Sequence, residues 1–226
     1  KRTVRSFEAA HLKRTENVYA DEVQGVRAFG STTELMQVQQ IVDDKLDQHR
    51  RDFDLTHEYM KFGAINGHVV SGKGVSILNI YAEFGLAAPA NVLFNLASND
   101  FKVREAADDL RGSMEDDLVG ATTYGGIVAF CGQEFFKKLS GHKEVRETYL
   151  NTASAVELRG QMPDAFNYGG ITWIRYRTTA KAKAANGGAP FLATDEARVC
   201  FKGVPGLYLS RFAPAPFWDA VNTPGL

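Results

Sequence analysis

Apolar residues recur along 31–62 at Leu35, Val38, Val42, Leu46, Phe53 and Met60, with His49 filling one further place. Steps of three, four and seven place them on one stripe of a helix. The stretch contains no Gly or Pro. Ser31 and Glu34 stand at the capping-box spacing, in which each side chain satisfies a free backbone N–H of the first turn. Gly63 follows, where a left-handed C-terminal cap is cheapest. The opposite face carries Asp43, Asp44, Asp47, Arg50, Arg51 and Asp54. The pattern predicts one continuous helix from Ser31 to Phe62, roughly 48 Å long. Its single narrow stripe leaves most of its length exposed, as a spine with smaller elements laid along it.

Residues 1–23 are polar, with scattered apolar positions at Val4, Phe7, Leu12 and Val18, and read as an extended arm with some strand character. A linker, 24–30, leads into the helix. Beyond it, two β-prone runs at 67–70 and 75–81 flank Ser71-Gly72-Lys73-Gly74 and read as a hairpin. Pro89 marks a change of region, and 92–96 is a short strand candidate. Asp100 is placed to cap a second helix with Val103, Ala107, Leu110, Met114 and Leu118 on one face, ended by Gly120. Residues 127–131 read as a buried strand, and 133–139, 143–150 and 154–159 as short helices. Residues 171–178 alternate in a β manner, 182–190 form a flexible loop, and 197–201 and 207–212 are late strands. Long helix, hairpin, then a mixed block gives an α+β class.

Composition narrows this little. At 226 residues the chain makes one large domain or two small ones. Hydrophobic residues are 44% and charged residues 23%, ordinary for a soluble globular protein. A net charge of −1 supplies no bulk attraction to nucleic acid or anionic membrane. Cys131 and Cys200 form no CxxC and read as buried thiols in a reducing compartment. No apolar run approaches the roughly 18 residues of a membrane span.

Candidate chemistry is thin. Residues 67–74, GHVVSGKG, match the phosphate-cradling GxxxxGK[ST] loop except at the last position, where Gly74 lacks the magnesium-binding hydroxyl. The loop also requires a following helix, and the run after Gly74 is strand-like, so it reads as a hairpin tip. His49 and His57 sit eight apart on the long helix, not the four of a helical metal pair. They read as interface or packing residues, and His11, His68 and His142 are scattered. Cys131 ends a buried strand before a possible helix start, a position that can acidify a thiol. Asp43, Asp44 and Asp47 read as a solvated face. Trp173, Arg175 and Arg177 share one face of a strand, a basic and aromatic pattern usable for single-stranded nucleic acid. One strand makes no stripe, and an interface strand is the better reading. No catalytic, cofactor-binding or metal-ligating residue is assigned. The rivals are an α/β enzyme using Lys73 or Cys131, and a nucleic-acid-binding module using Arg175 and Arg177.

Several short stretches together carry a resemblance. VQGVRAFGS at 23–31, EFG at 83–85, GVPGL at 203–207, FAPA at 212–215 and AVNTPG at 220–225 resemble, in order and spacing, the major capsid protein E family of lambda-type tailed phages. The resemblance implies a Hong Kong 97-type capsid fold. Residues 1–30 would be the returning half of an extended loop and its linker. Residues 31–90 would be the peripheral domain with spine helix and hairpin, 91–206 the axial domain, and 207–226 the truncated return to the periphery. It implies a structural protein, not an enzyme, that self-assembles into pentamers and hexamers of an icosahedral shell. Implied partners are scaffold, decoration and portal proteins, with packaged DNA held inside without sequence-specific binding and no membrane. The implied location is the virion capsid, with the host cytoplasm during assembly.

The family's N-terminal arm, outgoing loop half and final peripheral strands have no counterpart here. The expectation is that residues 1–226 alone form a monomer or small oligomer and that the longer protein closes a shell. Micromolar Mg-ATP or Mg-GTP binding by calorimetry, abolished by Lys73→Ala, would revive the enzyme reading; no binding is expected.

Overall fold

The computed structural model describes residues 7, 9–23, 38–71, 74–118, 123–150, 164–185, 190–214 and 218. In chain order the elements are α1 (Ala20–Val23), α2 (Val38–Ile65), β1 (His68–Val70), β2 (Ser76–Asn79), α3 (Ile80–Phe84), α4 (Val103–Asp116), β3 (Gly126–Cys131), α5 (Gln133–Gly141), α6 (Lys143–Leu150), β4 (Ala165–Tyr168), β5 (Ile171–Arg175), α7 (Ala180–Ala185) and β6 (Ala197–Lys202). The class is α+β.

The core forms around β3. Its inward residues Ile127, Ala129 and Cys131 are buried, alternating as a two-residue period requires. β3 pairs in parallel with β5 and antiparallel with β6, and β4 closes the sheet in the order β4-β5-β3-β6. Val103 and Ala107 of α4, Phe136 and Leu139 of α5 and Val145 of α6 cover the inward face. Trp173 on β5 sits at its centre, with Phe94 edge-on at 6.0 Å and Phe135 stacked at 6.1 Å. Its indole N–H donates to the Tyr168 carbonyl at 3.0 Å, so the burial leaves no polar group unmet.

Two of the covering helices are capped from a distance. The N-cap of α4 is Lys102, which makes no side-chain cap bond. Glu144 on α6 instead accepts from the Val103 N–H at 2.6 Å and the Arg104 N–H at 3.4 Å. The N-cap of α5 is Gly132, which has no side chain. The Thr194 carbonyl accepts from the Glu134 and Phe135 N–H groups at 2.8 and 3.0 Å. Each helix start is thereby locked to a neighbouring element. Asp100 is not the cap that its position suggested.

The long helix is present but differs from expectation at its end. α2 runs 28 residues, about 42 Å; 31–37, with Ser31 and Glu34, lie outside the described residues. It stops at Ile65 rather than Phe62, because Gly63 is helical rather than a cap. A Cβ on Gly63 would lie 2.7 Å from the His68 carbonyl, so glycine lets β1 pass against the helix. Gly67, at φ 78°, makes the reversal into the hairpin. Only Ile41, Phe62 and Gly63 of α2 are buried. The helix is exposed along most of its length, but Val38 and Leu46 of the expected contact stripe are exposed with it.

Other expectations are corrected. The described arm residues show no strand, only irregular chain and α1. β2 ends at Asn79, whose side chain accepts from the Ala82 N–H at 3.1 Å and starts α3. Residues 92–96 are irregular, because Phe94 turns into the aromatic core instead of pairing along a sheet. The start of the expected 182–190 loop is helical. Thr179 caps α7 by accepting from the Ala182 N–H at 3.2 Å, and Ala182 is buried. Among the described residues, 207–212 form no strand: a turn, with the Leu207 N–H donating to the Val204 carbonyl at 3.4 Å, leads into irregular exposed chain. The expected helix 154–159 lies outside the described residues.

A pair of glycine substitutions tests this packing. A Cβ at Gly132 would lie 2.2 Å from the Ala193 carbonyl and 2.5 Å from that of Thr194, both backbone. Gly132→Ala is expected to lose about 2–3 kcal/mol in urea unfolding. Gly112, mid-α4 with open space around it, is expected to gain about 0.5–1 kcal/mol as Gly112→Ala. Equal effects at both sites would contradict the close approach at Gly132.

Candidate assembly surface

The chemical candidates do not converge. β2 follows the Gly74 loop as a strand, so the helix a phosphate cradle requires is missing; Gly72 and Lys73 lie outside the described residues. Cys131 is fully buried on β3, and burial pushes its thiol up to about 12, the reverse of an activated nucleophile. Trp173 is core, not a display surface with Arg175 and Arg177, because its side of β5 faces the helices. Arg175 pairs with Asp164.

The histidines are dispersed. His49 meets Glu16, His57 lies edge-on to Phe212 at 6.0 Å, His68 bonds Ser76, and His142 donates from Nε2 to the Ser98 carbonyl at 2.9 Å. Among the described residues no group of three His, Cys, Asp or Glu is placed to hold a metal, and no helix is long and apolar enough to cross a membrane. Asp43 accepts from Gln39 on its own helix. An open depression of about 450 Å³ beside Gly169 and Gly170 is lined by Arg104, Glu105, Asp108 and Arg111. Its charges partly neutralise each other, with Arg111 2.7 Å from Asp108.

What the molecule presents instead is apolar surface in the two parts of the chain that flank the core. Among the described residues, the large hydrophobic side chains left exposed are Phe7, Tyr19, Val38, Leu46, Val75, Phe84, Leu86, Val92, Leu93, Leu207, Tyr208, Leu209, Phe212 and Trp218. None lies between 94 and 206, where the core cluster lies. Single exposed hydrophobics need no explanation, but this segregation does. The chain buries its apolar residues efficiently in one region and leaves them in water on both sides of it.

The arm attaches to α2 mainly by charge. Lys45 lies 2.6 Å from Glu22 and 3.8 Å from Glu16, and donates to the Asn17 carbonyl at 2.8 Å. His49 meets Glu16 at 2.9 Å, and Arg14 pairs with Asp52. The sequence hid this, because docking through Lys45, His49 and Asp52 leaves no hydrophobic signature. Its only trace is an acidic and basic alternation on the polar side of the helix.

The hydrogen bond from His49 holds the Glu16 carboxyl below its usual range, helped by Lys45. The bond to Glu22 holds Lys45 above its usual range. The Glu16 contribution is therefore present above the ordinary carboxylate range and lost as pH falls through its lowered value. The Lys45 contribution is present below the ordinary ammonium range and lost as pH rises through its raised value. Docking holds between, including neutral pH.

The family model described as phage major capsid protein E matches residues 1–226. The chain is 28% identical over 195 residues to a major capsid protein of Salmonella phage Felix O1, covering 79% of this chain and 52% of that protein. It is 28% identical over 243 aligned residues to a major capsid protein of Pseudomonas phage KPP10, covering 99% of this chain and 68% of that one. The chain thus spans about half the length of the first relative and about two thirds of the second.

Exposed ion pairs are weak and salt-screened. Tryptic cleavage after Lys13 and Arg14 is expected to speed up several-fold in 1 M NaCl at neutral pH. Lys45→Met is expected to reproduce much of that increase at low salt. Rates indifferent to both would contradict an electrostatic latch.

Proposed function

The chain belongs to the phage major capsid protein E family, and from that premise we propose that it is the shell-building subunit of a tailed-phage head. The carrying observation is the segregation of exposed apolar side chains to the segments flanking a self-sufficient core. A protein that works alone covers such surface, whereas a shell subunit keeps it for its neighbours. Subunits in rings meet through unlike patches, and closure lets many modest contacts act together.

The architecture is read as Hong Kong 97-type. α2 and the hairpin would form the peripheral domain at 31–90, and the core block the axial domain at 91–206. Residues 207–226 would return to the periphery, and 1–30 would be the returning half of the extended loop with its linker. The long exposed helix, the hairpin against its end and the later α/β block support this reading. Partners would be copies of the chain in pentamers and hexamers, then scaffold, decoration and portal proteins. DNA would be enclosed without sequence recognition, and a net charge of −1 is compatible with an interior that does not trap it. The site of action would be the virion, reached after assembly in the host cytoplasm. The role is structural, as the family implies.

Electron microscopy of the full-length protein expressed with its scaffold is expected to show rings and closed shells. A subunit that stays monomeric at every concentration, with or without scaffold, would overturn the reading.

A further inference from the structure

Residues 82–93 form an unusual strip. All twelve are exposed, and no charged side chain occurs from 84 to 99. The strip holds Phe84, Leu86, Val92 and Leu93, the last 85% exposed. Both ends are fixed. At the start, α3 is closed by Gly85 in the left-handed conformation, and the Leu86 N–H donates to the Tyr81 carbonyl at 2.9 Å. At the end, Phe94 is set among Phe101, Phe135 and Trp173. Between these anchors, among the described residues, no backbone N–H or carbonyl of 87–93 has a hydrogen-bond partner.

Residues 87–93, anchored on both sides, carry no charge and leave their backbone groups unpaired, so they are cheap to dock. Ala87, Ala88, Pro89 and Ala90 have almost no side-chain entropy to lose. The free backbone groups can pair with an extended chain laid beside them, and the four large side chains add apolar burial. A second exposed strip, the ten residues 205–214, holds Leu207, Tyr208, Leu209 and Phe212, with Arg211 its one charge. The strips, twelve and ten residues long, each supply about half of the 20–30 residues that one side of a standard interface uses, so the contact they make is one part of a larger one. Neither carries the charge expected of a surface kept free of neighbours.

We propose that residues 82–93 are a docking strip for a second copy of this chain, an inference that rests on the capsid reading and locates one of its contacts. The occupant is another copy because a self-assembling shell supplies it at every position, and because 205–214 offers the matching nearly uncharged surface on the next subunit.

The test compares the full-length protein, unaltered or carrying Leu93→Glu, by sedimentation velocity and electron microscopy across a concentration series, with scaffold present. Leu93 has little contact with its own fold, so the variant is expected to melt within about 2 °C of the unaltered chain. It is expected to need at least about tenfold higher concentration to assemble. Assembly of the variant at the unaltered chain's concentration overturns the strip and leaves the capsid reading standing. Failure of the unaltered chain to assemble at all overturns the capsid reading and the strip with it. Hydrogen exchange on the unaltered chain gives a reading independent of how the variant folds. Amides of 87–93 are expected to exchange freely in the subunit and slow at least about tenfold on assembly; unchanged exchange in the assembled state overturns the proposal.

Discussion

The joint at Phe62 sets the geometry of everything outside the core. Its ring lies 4.2 Å from that of Tyr176 and meets Phe130 edge-on at 5.5 Å, on the face of the sheet opposite the helical cover. Around it, the Tyr176 hydroxyl donates to Glu58 at 2.8 Å, Tyr59 packs on Phe191, and Arg198 donates to Asn66 at 2.7 Å. Burial, with Glu58 beside it, raises the Tyr176 phenol above its ordinary range and keeps it a neutral donor. About two turns of α2 are thus fixed to the sheet. The other twenty described residues, 38–57, take their direction from this joint, over about 30 Å.

That arrangement divides the molecule energetically. The sheet and its helices bury aromatic and branched side chains and lock helix starts with Glu144 and Thr194, so they lose stability together. The arm adds to α2 mainly partly exposed ion pairs, which are individually weak in water. Such an element changes partners at low cost, while the core it hangs from does not deform. A shell subunit needs both properties, a rigid block that repeats identically and outer segments free to complete themselves on a neighbour.

How much of this was legible in the sequence followed from where each signal resides. The continuous apolar run at 127–131 located the central strand, since a strand covered on both faces, by helices on one and by Phe62 against Phe130 on the other, is apolar at every position. Val103 and Ala107 likewise gave the buried face of α4. The long helix was legible because nothing in it breaks a helix, but its end was not: whether Gly63 caps or admits β1 depends on a strand that packs there. The caps of α4 and α5 come from Glu144 and the Thr194 carbonyl, residues remote in sequence, so no local pattern announces them. α7 was readable from Thr179 and the alanines after it, and the glycines at 187–188 drew attention away. Apolar runs at 92–96 and 207–212 read as strands because periodicity reports apolar content without saying whether a partner strand exists. Those same runs lie in or beside the exposed strips proposed above as docking surface.

Native-state hydrogen exchange on the unassembled subunit tests the central claim, a self-sufficient core carrying outer elements completed by neighbours. Amides of β3, β5 and α4 are expected to exchange only through global unfolding. Those of α2 from 38 to 57 should open at least about 2 kcal/mol more easily and gain protection when the shell forms. Protection of 38–57 equal to that of β3 in the isolated subunit would contradict the account.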